Sequence, residues 1–275
     1  MIDLDSVELS EPQFEAFGIR HVTYKSAAIP GRQDMLVILP EKGDAPLPLT
    51  LLLHGVGGSH WAWAFQGGAH RTLFRLIDAG DLPPMALALP SDGLWGDGSG
   101  YLPHGPSRDY EQLVLEVPEV AAVVDPRITS RSPLFVSGLS MGGYGALRIG
   151  GKHADRFAGI SSHSAITTLR ELQDFVTEDL STVLSKSPET AVVYWLEKNA
   201  ERLPPLRFDC GLDDRLLCAN RLLHHQLEVL GVDHVYDEFV GGHEWTYWRE
   251  HLRDSLMFFG AQLRQADSPT ERREG

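Results

Sequence analysis

Hydrophobic positions in this chain fall into short runs of strand character separated by longer stretches with helical spacing. Residues 20–26 and 34–39 suit strands on either side of Ile29-Pro30-Gly31-Arg32, a turn signal, which predicts an opening hairpin. The runs 49–54, 85–89, 133–137, 157–161 and 206–210 have the length and apolar content of buried strands, and 235–240 follows in the same style. Helices are predicted over 70–79, 109–124, 143–149, 216–230 and 246–265, with Pro118 bending the second or marking a new first turn. Strands alternating with helices predict an α/β chain: a mostly parallel sheet, covered on both faces, with ligands beyond the carboxyl ends of its strands.

Residues 166–205 break the alternation with two predicted helices, 169–184 and 188–200, and read as an insertion or cap over the site. No linker divides the chain, so residues 1–265 are expected to form a single catalytic domain, followed by a polar, disordered tail at 266–275.

The chain has 275 residues, of which 43% are hydrophobic, enough for one substantial core. Its formal net charge of −14 repels nucleic-acid backbones and anionic membrane surfaces and turns attention to small molecules. The first ten residues lack the basic and apolar regions of a secretory signal, and no apolar run approaches membrane-spanning length. Cys210 and Cys218 match neither a redox nor a zinc spacing and are expected to be reduced in a cytoplasmic protein.

Chemistry enters at Gly138-Leu139-Ser140-Met141-Gly142, a G-x-S-x-G motif between a predicted strand and a predicted helix. So sharp a turn strains the serine backbone and requires neighbours with almost no side chain. Ser140 is therefore the candidate nucleophile, with the Met141 N–H placed to hold a developing oxyanion. A serine hydroxyl needs a histidine to take its proton and a carboxylate to orient that histidine. Among the 12 histidines, His243 alone lies in a glycine-rich loop directly after the last predicted strand, Gly241-Gly242-His243-Glu244-Trp245. The loop after 206–210 offers Asp213 and Asp214, of which one can orient His243 while the other faces solvent. A second oxyanion donor is expected from the loop after His54, with Val56 first and Gly57 in reserve, and His54 itself is expected to brace that loop.

These residues carry a resemblance covering nearly the whole chain. Leu53-His54-Gly55 with Trp63, Tyr110-Glu111 with Glu116-Val117-Pro118, and the extended elbow from Gly138 to Leu147 resemble the Putative esterase family of α/β-hydrolases. So do residues 153–157, residues 210–214 with Asn220, and residues 241–245. That family includes esterase D, S-formylglutathione hydrolase, tributyrin-type and feruloyl esterases, and mycolyltransferases. The resemblance implies an α/β-hydrolase fold, a Ser140-Asp214-His243 triad and oxyanion donors at Val56 and Met141. Ala154, where the family usually has proline, and Ala165, where glycine is common, depart from the pattern away from the chemistry.

Other signals weigh less. His243-Glu244 is not a zincin motif, because Tyr247 stands where the second histidine belongs, and the glycine-rich loop 91–100 has too few oxygen ligands for an EF-hand, so no metal is expected. Trp61, Trp63, Trp95, Tyr101 and Trp245 are expected to line an aromatic substrate pocket. The expected function is cofactor-independent hydrolysis of small or short-chain esters by a serine esterase, through an acyl-enzyme. The alternatives are an S-formylglutathione-type thioesterase or an acyltransferase and, in another class, a non-catalytic hydrolase-fold binding protein. The expected partner is a small-molecule ester, not nucleic acid or membrane, and a homo-oligomer is left open.

Overall fold

The structure, a computed structural model, describes residues 3–182 and 187–267. Among the described residues nine strands form one sheet in the order β1-β2-β3-β5-β4-β6-β7-β8-β9. They are β1 (Asp3–Leu9), β2 (Ile19–Lys25), β3 (Arg32–Ile38), β4 (Leu49–Leu53), β5 (Ala86–Pro90), β6 (Leu134–Gly138), β7 (Gly159–His163), β8 (Leu206–Gly211) and β9 (Val235–Phe239). The expected hairpin is β2 and β3, paired without interruption from Ile19 opposite Ile38 to Lys25 opposite Arg32. β1 adds an edge strand that the hydrophobic pattern did not predict, because the spacing of Leu4, Val7 and Leu9 changes parity where the register shifts between Asp3 and Glu8. From β5 onward all pairings among β5, β4, β6, β7, β8 and β9 are parallel. The chain leaves β4 toward β5 and returns to its other side as β6. The ends of β4 and β6 therefore border the point where strand order reverses and a crevice opens.

Alternate residues of the central strands feed two cores. Met35, Val37, Leu49, Leu51 and Leu53 face α3 (Tyr110–Val124), α4 (Met141–Lys152) and α7 (Leu217–Val229). Leu36, Ile38, Leu52, Leu87 and Leu89 face α2 (Ala69–Asp78) and α8 (Trp245–Asp267). Each fully buried leucine in these layers contributes roughly 1.5–3 kcal/mol of transfer free energy. Pro118 lies inside α3, which runs through it as one helix and does not restart there. Of the tail expected at 266–275, residues 266 and 267 complete α8 and the remainder lies outside the described residues.

The insertion is less helical than its spacing predicts. In place of a helix over 169–184 the chain makes α5 (Leu169–Gln173), held by a Thr168/Glu171 capping box, and then a 3₁₀ turn at Leu180–Thr182. Residues 183–186 lie outside the described residues. The helix stops because the Gln173 side chain bonds the Glu178 carbonyl and the Leu180 N–H, folding the following residues back over α5. The segment 188–200 is likewise a 3₁₀ turn, Pro188–Thr190, and α6 (Val192–Lys198).

One buried ion cluster fixes α4 to α3. Glu111 accepts from both Arg148 Nη atoms at 2.6 and 2.5 Å, and its other oxygen meets Lys152 Nζ at 2.7 Å and His153 Nε2 at 2.8 Å. Burial alone would raise the Glu111 carboxyl, but His153, Arg148 and Lys152 outweigh it and bring it down to about 2. The ordinary value is 4.5, so this carboxylate stabilises the fold fully above pH 4.5, by on the order of 3 kcal/mol, and loses that contribution as pH falls toward 2. Glu111→Gln, which leaves the Arg148 charge buried, is expected to cost about 3–5 kcal/mol at neutral pH in urea unfolding. The difference from wild type should shrink as pH drops below 4.5; a gap that stays constant into acid would exclude Glu111 as its source.

Candidate active site

Ser140 is the residue between β6 and α4, at φ 54° and ψ −119°, a conformation that an L-residue adopts only under constraint. The glycines around it are demanded by space: a Cβ on Gly142 would sit 2.1 Å from the Leu53 carbonyl oxygen, and one on Gly138 would sit 2.3 Å from the Gly142 oxygen. The Ser140 N–H donates to the His163 carbonyl at the end of β7 at 3.0 Å, so the neighbouring strand holds the turn.

The loop after β9 brings His243 Nε2 to 2.9 Å from Ser140 Oγ, and His243 Nδ1 lies 2.9 Å from Asp214 Oδ2. The Asp214 side chain is sealed from solvent, whereas Asp213 is exposed and the two do not compete for the imidazole. Burial alone would raise the Asp214 carboxyl. The hydrogen bond from His243, the charge interaction with that ring, the Leu216 N–H at 2.8 Å and a bond from Ser164 together hold it below the ordinary range. Asp214 is thus an ionised acceptor that fixes the His243 ring with its proton on Nδ1 and its other nitrogen turned to the serine.

On the opposite wall, the loop after β4 is braced as expected of His54. Its Nε2 accepts from the Asp92 N–H at 3.1 Å, which leaves Nδ1 to donate to the Gly55 carbonyl at 2.9 Å. Neither the Val56 nor the Met141 N–H has a backbone acceptor outside its own element among the described residues. The Gly57 N–H is occupied by the Asp97 carbonyl at 2.7 Å, which removes the reserve donor. The loop 91–100 connects this wall to the insertion: Asp97 Oδ2 accepts from Thr177, and the Asp97 N–H donates to Glu178.

A cleft of about 210 Å³ opens at Ser140, walled by Val56, Gln66, Leu139, Phe175, Trp245 and Trp248. Of the expected pocket aromatics, Trp245 lines it and four do not. Trp63 is 1% exposed and donates to the Leu53 carbonyl, and Tyr101, fully buried, donates to the His54 carbonyl; both support the end of β4 from beneath. Trp95 packs edge-on against His104, and Trp61 points to solvent. The pattern missed Phe175, whose ring stands 5.3 Å from that of His243 under the Arg215 guanidinium; nothing local marks it, since the fold-back of the insertion places it.

Behind the elbow lies a second array of the same residue types. Ser255 Oγ is 2.8 Å from His163 Nε2, and His163 Nδ1 is 2.8 Å from Asp209 Oδ2, all three fully buried. Burial alone would raise the Asp209 carboxyl, but His163, Arg207 and the Tyr247 hydroxyl outweigh it and hold it low. This cluster joins the strand supporting Ser140, the strand leading to Asp214 and the helix following His243. Asp209, a carboxylate inside the run 206–210 expected to be buried, was the available signal, since such a group needs partners; His163 lies just past the run 157–161.

The sheet order, the elbow and the hydrogen-bonded Ser-His-Asp array define an α/β-hydrolase. The profile described as Putative esterase matches residues 26–259, and the chain belongs to that family; it is an esterase. It is 29% identical over 267 residues to an acetyl esterase of Caldicellulosiruptor saccharolyticus, an alignment covering 86% of this chain and 96% of that one. In fold it resembles a ferulic acid esterase (TM-score 0.74, 24% identity, 89% and 97% of the two chains covered). It also resembles an S-formylglutathione hydrolase from Staphylococcus aureus (TM-score 0.74, 24% identity, 87% and 97% covered). Among the described residues no helix is long and apolar enough to cross a membrane, and no group of His, Cys, Asp and Glu could hold a metal ion.

Proposed function

We propose that the protein is a serine esterase acting through an acyl-enzyme on esters with short acyl chains. The observation that carries this reading is the unbroken Ser140-His243-Asp214 chain, with 2.9 Å at each link, opening on a cleft. Ser140 Oγ attacks the ester carbonyl as His243 Nε2 takes its proton, and the Val56 and Met141 N–H groups receive the oxyanion. Collapse of the tetrahedral adduct breaks the bond to the alcohol oxygen, which leaves with the proton from His243. Water, deprotonated by the same imidazole, then releases the acid and restores the serine. No cofactor takes part.

In this reading residues 1–265 are one catalytic domain and residues 166–205 its cap, supported by Phe175 on the cleft wall and by the Thr177 and Glu178 contacts to the loop at Asp97. The cleft, at about 210 Å³, is smaller than the roughly 300–1,000 Å³ of pockets for drug-sized ligands, which favours acetyl to butyryl groups. Rates on 4-nitrophenyl esters of increasing acyl length, with S-formylglutathione alongside, test it. Acetate or butyrate should exceed palmitate in kcat/KM by at least about tenfold, the lower end of the penalty for a misfitting methylene. Faster cleavage of the long-chain ester would overturn the short-chain preference, and faster cleavage of S-formylglutathione would place the protein among thioesterases.

A further inference from the structure

A groove of about 910 Å³ runs between α2 and α8, and its chemistry opposes that of the rest of the molecule. The chain carries a net charge of −14, yet four guanidiniums, those of Arg71, Arg75, Arg249 and Arg253, line this groove against two carboxylates. One carboxylate, Asp254, is held by His251 Nδ1 at 2.8 Å; the other is Glu250. Arg249 is engaged with the Gln66 carbonyl, at 3.3 Å from Nε and 3.1 Å from Nη2. Arg71, Arg75 and Arg253 are exposed and have no ion-pair partner among the described residues. The floor includes His70, 5% exposed, whose Nδ1 has no partner in hydrogen-bonding geometry among the described residues, although the ring lies near the Ala64 backbone. One wall carries Phe17, 64% exposed and held at φ 58°, with its ring 5.5 Å from that of His70. A large apolar ring kept in solvent at a left-handed backbone position is a costly arrangement, and here it provides an apolar surface beside the cations.

The groove adjoins the cleft. Gln66 lines both, and α8 begins at Trp245 on the cleft wall, so Arg249 and Arg253 follow about 6 and 12 Å further along the same helix. We propose that this groove is a subsite for a negatively charged end of the substrate: a carboxylate or similar small anion joined to the scissile ester by an apolar stem. The stem crosses Gln66 against Phe17 and Phe65, an exposed ring that also lines the groove, and delivers its charge to Arg71, Arg75 and Arg253, which have no ion-pair partner among the described residues. Specificity for anionic esters would then be set outside the small cleft, with the acidic remainder of the surface disfavouring the same anion elsewhere.

This inference rests on Ser140 being the nucleophile, and the test separates the two. Two probe series place the charge on either side of the ester: 4-nitrophenyl monoesters of adipic and suberic acids against their methyl-capped forms, and the butyrate ester of 6-hydroxyhexanoic acid against that of its methyl ester. In at least one series the free acid should exceed its capped partner about tenfold in kcat/KM at low salt, the effect of a few exposed charge pairs, and the advantage should fade as salt is added. In an Arg71→Gln/Arg75→Gln/Arg253→Gln variant the ratio of free to capped ester should fall to near one, and Glu at these positions should invert it. The ratio is internal to each preparation, so loss of folded enzyme does not alter it. No preference for the free acid in either series, or a preference untouched by the triple substitution, overturns the subsite while hydrolysis of the capped esters stands. Failure of wild type to cleave any of the esters would instead remove the nucleophile reading and the subsite with it.

Discussion

Ser140→Ala is expected to yield a folded protein whose ester hydrolysis is lower by about 10⁴- to 10⁶-fold, the range seen when a protease triad loses its serine. The hydroxyl is the attacking atom in the proposed reaction, and the residual rate comes from the oxyanion donors and from binding. Folding should survive because the substitution removes only an oxygen bonded to His243 and keeps the Cβ, so the left-handed backbone is no more strained than before. The glycines that let the elbow pass under Leu53 are untouched. Turnover of 4-nitrophenyl butyrate, with the urea midpoint measured on the same sample, checks both halves. A purified, folded mutant that turns over at close to the wild-type rate would mean that another group attacks the ester.

The second large effect separates two neighbouring aspartates. Asp214→Asn should reduce kcat by about 10²- to 10⁴-fold, the upper figure being that of the corresponding protease substitution. The amide can turn its NH2 toward Nδ1 and so permits the wrong tautomer, and it carries no charge to support the imidazolium at a position sealed from solvent. Asp213→Asn, at an exposed side chain, should change kcat by less than about tenfold, or 1.4 kcal/mol of barrier. Measured side by side, a larger loss at Asp213 would reverse the assignment, and small losses at both would place the orienting acid elsewhere.

The elements that the residue pattern revealed are those governed by local rules. The elbow is legible because steric crowding at Gly138 and Gly142 admits no other residue. β2 and β3 are legible because their alternation runs without a bulge. The position of His243 follows from chain order, since the loops after the last two strands of a parallel sheet face the same crevice. Direction, by contrast, was not legible for aromatic residues in loops. Trp63 and Trp245 pack edge to face at 5.6 Å, yet one is a buried brace and the other a cleft wall, and only the path of the backbone decides which. Phe175 reaches the cleft because Gln173 ends a helix that its own sequence would have continued. The arginine groove is likewise a product of assembly: Arg71 and Arg249 are far apart in sequence, and neither stands in a motif.

The buried Ser255-His163-Asp209 array bears on how such enzymes are found. A search for the three side chains by interatomic distance alone would return both arrays, whose separations are alike to within about a tenth of an ångström. The Ser140 array meets a cavity, beside two N–H groups, of Val56 and Met141, that have no backbone acceptor outside their own element among the described residues. The other has its serine shared with Ser161 at 2.6 Å and its carboxylate shared with an arginine and a tyrosine, and all three of its side chains are fully buried. The molecule thus offers its own negative control: an electrophilic probe that discriminates by access rather than by local geometry is expected to mark Ser140 and to leave Ser255, its near-duplicate, silent.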